Sequence, residues 1–330
     1  NLGFMYYIGE SVSQDYNKAF EWFEKAAVQN YSNAQYKLGN LYYCGWGVPK
    51  DYKKAIEWYE KAALQGNADA QSQLVIMYYN AELLPQDYNK VVEWYKKAAL
   101  LGYGDAQNIL GEMYYVGESI PQDYKKALEW YEKAALQGNV RAQYNLGFMY
   151  YIGESVSQDY NKAFEWFEKA ALRGNATAQN ILGCMYDEGL GVPKDCTKAF
   201  EWYKKAALQG NADAQNVLGI RYYVGKDVPK NYDKALEWYE KAARKGCSNA
   251  QYNLGFMYYF GEGVTKDYSK AFEWYEKAAL QGNDAAQNML GRMYYSGIGA
   301  SKNYERAVEW WEKAALQGNA DAHYKLGDMY

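Results

Sequence analysis

Residues Leu38 to Gln73 read LGNLYYCGWGVPKDYKKAIEWYEKAALQGNADAQSQ, and this stretch decides the fold. Its leucine recurs at Leu2, Leu74, Leu110, Leu146, Leu182, Leu218, Leu254, Leu290 and Leu326, always 36 residues apart. A fixed period of that length marks a stacked repeat architecture. Ala34, Leu38, Leu41, Tyr42 and Gly45 form an apolar stripe at helical spacing, which predicts a helix A over roughly 33–44. Gly45-Trp46-Gly47-Val48-Pro49 then breaks it, and all five prolines of the chain occupy the phase of Pro49. Asp51 is a natural N-cap for a helix B over roughly 52–65, with Tyr52, Ala55, Tyr59 and Ala62 inward and Gly66 as its stop. Nothing alternates with period two, so no strand is predicted.

Neither helix buries its stripe alone, so successive hairpins must stack into one continuous core. Nine tryptophans, from Trp22 to Trp310, share one helix B phase beside Ala-Ala and are read as core. Glu57 and Lys61, in the favourable order for an i,i+4 pair, recur in every helix B and are read as a salt-bridged face. The 330 residues are thus read as a single continuous array, 1–330, of about nine repeats. Asn1-Leu2 and Tyr330 fall in mid-repeat, so both ends are read as cuts through a longer array.

With 36 basic and 40 acidic side chains the net charge is −4, which offers no basic field for nucleic acid. No apolar run approaches the roughly 18–20 residues of a membrane span. The single histidine, His323, stands where glutamine is otherwise found and has no triad around it. Four scattered cysteines lack metal-ligand spacing, and only Cys184 and Cys196 share a repeat, so one bridge at most is plausible. Loops such as Gly189-Leu190-Gly191 lack the strand and the full motif of a phosphate cradle. No catalytic residue, cofactor or metal is assigned, and the chain is read as a non-enzyme. The compartment stays open. Unpaired thiols fit a reducing one, whereas the sequons at Asn30 and Asn175 matter only in a secretory pathway.

The pattern of Leu-Gly, the Gly-x-Gly loop, Lys-Ala, Trp-Tyr and Ala-Ala-x-x-Gly resembles the Sel1-like repeat, a relative of the tetratricopeptide repeat, over the whole chain. That resemblance implies an all-α, right-handed superhelical solenoid of antiparallel helix pairs serving as a scaffold or adaptor. Members are associated with endoplasmic-reticulum quality control, cell-wall regulation and host interaction, so the array is alternatively one module of a larger protein. The outward face of helix A then lines a concave groove that binds a protein or peptide partner. The phase two after the leucine varies freely, through Glu112, Phe148, Ile220, Phe256 and Arg292. The phase five after it is tyrosine nearly throughout: Tyr43, Tyr79, Tyr115, Tyr151, Tyr223, Tyr259 and Tyr295. Tyrosines offer rigid contact area with a hydroxyl, which suits recognition. Packing on a neighbouring helix is the plain alternative, and stacking on carbohydrate is the third.

Two repeats depart from the unit. In the Leu74 repeat, Val75, Ala81, Leu83 and Val91 replace small residues, which predicts a local change of curvature. In the Leu182 repeat, Asp187 and Cys196 replace tyrosines, and drift accounts for either repeat about as well as function does. Residues 1–27 are identical to 145–171, a sign of copying within the gene.

Overall fold

The computed structural model describes residues 2–79, 88–117 and 120–329, without the side chains of 75, 78, 79 and 88–91. Every element among the described residues is helical, and the helices fall into two compact units, Asn1–Asn139 and Val140–Tyr330. The first unit holds α1 (Leu2–Ile8), α2 (Tyr16–Ala27), α3 (Ser32–Cys44), α4 (Tyr52–Leu64), α5 (Ala68–Tyr79), α6 (Tyr88–Leu100), α7 (Gly104–Val116) and α8 (Tyr124–Leu136). The second begins with α9 (Val140–Ile152), α10 (Tyr160–Leu172), α11 (Ala176–Glu188), α12 (Cys196–Leu208), α13 (Ala212–Val224) and α14 (Tyr232–Arg244). It ends with α15 (Ser248–Phe260), α16 (Tyr268–Leu280), α17 (Asp284–Ser296), α18 (Tyr304–Leu316) and α19 (Ala320–Met329). Odd helices are A and even helices are B. Within each unit, sequential helices pack as an all-α solenoid of hairpins.

Each hairpin closes by local chemistry. Helix α3 ends because Gly45 takes φ 76°, its N–H bonding to the Leu41 carbonyl at 2.9 Å. The Asp51 N–H then returns to the Tyr42 carbonyl at 2.9 Å, while the Asp51 side chain accepts from the Lys54 N–H at 3.0 Å and caps α4. Asn211 and Asn283 cap the next helix A in the same way, accepting from Ala214 and Ala286 N–H groups at 2.9 Å.

The close approach within a hairpin lies between the glycine after the leucine and the ring of helix B. A Cβ on Gly147 would sit 2.9 Å from Phe167 Cδ1, closer than real Cβ atoms come. Gly147→Val is therefore expected to cost about 1–3 kcal/mol, and Glu165→Val, on an exposed position of the same hairpin, about 0.5 kcal/mol or less. Equal shifts of the urea midpoint in the two variants would mean that the helix faces are misassigned.

Neighbouring hairpins are joined by a buried glutamine that sequence reasoning placed only as a polar structural residue. Gln179 Nε2 donates to the Ala171 carbonyl at 3.0 Å, and its Oε1 accepts from Gln209 Nε2 at 2.6 Å. Gln251 and Gln287 repeat this with Ala243, Gln281, Ala279 and Gln317. The amide satisfies a helix-end carbonyl that would otherwise be buried without a donor.

Two expectations are corrected. The tryptophan column lies in the core, as expected, only at Trp94, 6% exposed; Trp22 is 43% exposed, and Trp58, Trp130, Trp166, Trp202, Trp238, Trp274 and Trp310 are half-buried. The buried ring is its successor, as Tyr59, Phe167 and Tyr275 show at 0% exposure. Nor does the recurrent lysine chiefly pair with glutamate. Lys61, Lys169 and Lys205 stand over Trp58, Trp166 and Trp202, 4.2, 3.9 and 4.0 Å from the ring centroids. Of these recurrent Glu–Lys pairs, only Lys241–Glu237 closes among the described residues, at 2.6 Å. A partly desolvated ring face holds an ammonium better than an exposed carboxylate does.

Candidate interaction surface

The variable face of helix A presents different side chains in the two units. In the first, Glu112 accepts from Asn108 Nδ2 at 2.9 Å. In the second, Phe148 stacks on Tyr144 at 6.4 Å, Ile220 is 41% exposed, and Phe256 meets Phe260 at 4.4 Å. Arg292 stands exposed on α17.

The recurrent tyrosines are mostly half-buried, each against the first residue of its own helix B. Tyr43 lies 5.6 Å from Tyr52, Tyr115 5.3 Å from Tyr124 and Tyr151 5.4 Å from Tyr160. Tyr223, Tyr259 and Tyr295 pair with Tyr232, Tyr268 and Tyr304 at 5.4, 5.2 and 5.3 Å. Tyr295 is the most open of these, at 44% exposure. The Tyr223 hydroxyl also donates to the Glu262 carboxylate; burial, then that bond, pushes its ionisation well above the ordinary value. The side chain of Tyr79 lies outside the described residues, as do the departures at Val75, Ala81, Leu83 and Val91.

The departures at Asp187 and Cys196 belong to a larger arrangement. Arg221, on α13, takes the phase of the buried Leu41 and Met257, and its guanidinium donates to both Asp187 and Asp227. It lies 5.1 Å from the Tyr203 ring centroid, and Lys226 Nζ stands 3.7 Å from Asp187. Asp227 holds φ 63° at the loop phase where Gly47 and Gly191 press on the preceding helix B. There the small Cys196 leaves room that a tyrosine would fill. Drift at one position does not describe this, because four unusual residues meet from two repeats. Ligand atoms of Asp187, Cys196 and Asp227 lie within 4.8 Å of one another. The buried guanidinium and the Lys226 ammonium together balance the two carboxylates, so the cluster reads as an ion-paired joint rather than a metal centre. Cys184 and Cys196 are free thiols.

Sequence reasoning also passed over a regular apolar ridge at the end of helix B. In the second unit Leu172, Leu208, Leu280 and Leu316 are 71, 69, 73 and 89% exposed. The signal was present as the leucine that follows Ala-Ala in most repeats, with Arg244 interrupting it in this unit.

Comparison with known proteins places this geometry. The Sel1 repeat profile matches residues 1–31, 32–67, 68–103, 104–139, 140–175, 176–211, 212–247, 248–283, 284–319 and 320–330. A protective antigen present in uropathogenic Escherichia coli strains, which displays an SLR fold, is 37% identical; the match covers 100% of this chain and 78% of that one, with a TM-score of 0.70. A Sel1 repeat protein from Oxalobacter formigenes is 33% identical over 94% of this chain and 90% of its own, with a TM-score of 0.71. No curated protein matches the chain. Sel1-repeat proteins are in general non-catalytic scaffolds for protein interaction, and no helix among the described residues is long and apolar enough to cross a membrane. The matched repeats span the whole sequence, and the chain belongs to the Sel1 repeat family.

Proposed function

We propose that this chain is a non-catalytic scaffold whose second unit holds a peptide or a partner's loop on the variable face of its A helices. The observation that carries this reading is the run Ile220, Phe256 and Phe260. Ile220 and Phe260 are large apolar side chains left 41% and 48% exposed. Framework positions beside them, Leu218 and Leu254, are at most 1% exposed. Large apolar side chains grouped at a surface mark a contact with something else. The half-buried tyrosines frame this face and serve it indirectly, by fixing helix A on helix B.

A photo-crosslinking residue at Ile220, compared with one at Glu165 on exposed helix B, tests the reading. Specific peptide adducts from native lysate are expected at Ile220 and not at Glu165. Equal labelling at both positions would defeat the assignment of the face.

A further inference from the structure

The fully buried tyrosine of helix B ends beneath the variable face of helix A. Tyr59 shows the bond that this placement makes, its hydroxyl donating to Asn40 Oδ1 at 2.7 Å. Above Tyr275, the residue at the phase of Asn40 is Phe256, which has no acceptor. Tyr275 is 0% exposed and its hydroxyl is without a partner. A buried polar group left so keeps its desolvation penalty without compensation. Burial raises the ionisation of this hydroxyl well above the ordinary range, so it persists as a donor.

The surroundings call for the same kind of group. The Tyr275 ring packs against Tyr252 and Tyr259, with centroids 5.6 and 6.4 Å away. Arg292 lies within electrostatic reach of it, is exposed, and forms no ion pair among the described residues. Two carboxylates, one on its own helix and one on the next A helix, are engaged elsewhere. Asp328, at the same phase one hairpin on, meets Lys325 at 3.6 Å, and Asp284 accepts from Asn319 Nδ2 at 2.8 Å. A second buried donor without a partner, Trp311 Nε1, presses on Gly291 beside Arg292. The buried Asn288 Oδ1, one turn earlier, is unpartnered as well.

We propose that the face formed by α15 and α17 receives an extended peptide, seating a carboxylate on Arg292 and apolar side chains on Phe256 and Phe260. This rests on the interaction reading above and names the chemistry of its partner. Arginine and a carboxylate make the strong, directional version of such a contact. Packed helices lie about 8–10 Å apart, and an extended chain advances about 3.3 Å per residue. The acidic residue and the nearest apolar anchor therefore stand about three residues apart.

The test uses the full chain and fluorescein-labelled peptides with two leucines three residues apart and Asp, Asn or Lys at the next such step, in both orders. Fluorescence anisotropy is expected to show the Asp peptide bound about ten-fold more tightly than the Asn peptide. Arg292→Gln should abolish that preference, and Arg292→Glu should transfer it to the Lys peptide. Because Arg292 is exposed, both variants should melt with the parent. A parent with no acid preference, or a preference that survives Arg292→Gln, overturns the proposal. Phe260→Ser separates the two levels: binding that depends on Phe260 but ignores charge overturns the carboxylate assignment alone. If no peptide binds, or if Phe260→Ser binds like the parent, the interaction reading falls with it.

Discussion

Arg221→Met will destabilise the second unit by about 3–5 kcal/mol, although it restores the residue type of the repeat. The reason lies in what remains. The side chains of Asp187 and Asp227 are 16% and 22% exposed, and each would lose the guanidinium that is itself only 3% exposed. Removing one member of a buried ion pair strands the other charges, and that penalty exceeds what the methionine recovers. The combined change of Arg221→Met, Asp187→Tyr, Asp227→Gly and Cys196→Tyr should return the urea midpoint to the parent value or above it. A well-packed apolar replacement of a buried ion pair is commonly neutral or stabilising. A loss under about 1 kcal/mol for the single variant would show that the three charges are not interdependent.

Alkaline conditions should unfold the chain steeply. The hydroxyls of Tyr59, Tyr131, Tyr203, Tyr239 and Tyr275 are all held above the ordinary 10.0, chiefly by burial. In the unfolded chain they ionise near that ordinary value. The stability they contribute is thus fully present below pH 10.0 and is lost as the pH climbs above it. Each such group withdraws about 1.4 kcal/mol per pH unit, and the second unit alone carries three of the five. Tyrosinate absorbance followed together with circular dichroism should show two phases. The exposed phenols ionise first with helicity intact, and the buried ones ionise with the loss of helix. A single smooth titration with helicity retained would contradict the burial of these hydroxyls.

The fold was legible because its determinants are local and periodic. Leu38, Gly45, Pro49, Asp51 and Gly66 each state a backbone requirement, and the structure meets each where the sequence put it. The period also hid distinctions. Trp58 and Tyr59 are adjacent and both aromatic, and pattern alone does not say which ring passes through the gap left by Gly39. Glu57 to Lys61 has ideal spacing for an ion pair, yet the lysine reaches the nearer indole. The Asp187–Arg221 pair escaped because its members lie 34 residues apart, on two repeats, and each looks like noise within its own. For the interaction surface, variability at Ile220, Phe256 and Arg292 was readable. What lies beneath them was not, because an orphaned hydroxyl is visible only once Tyr275 and Phe256 are brought together.

The glutamine joints have a mechanical meaning. Gln179 to Ala171 and Gln251 to Ala243 tie each hairpin only to the one before it, while the caps at Asp51 and Gly45 close it upon itself. Under tension along the chain, such a structure yields link by link instead of failing as a whole. Each link released sets free one 36-residue period, a gain of roughly 120 Å of extended chain. A scaffold of this kind lengthens in equal strokes, and the hairpins still folded keep their surfaces intact while their neighbours give way.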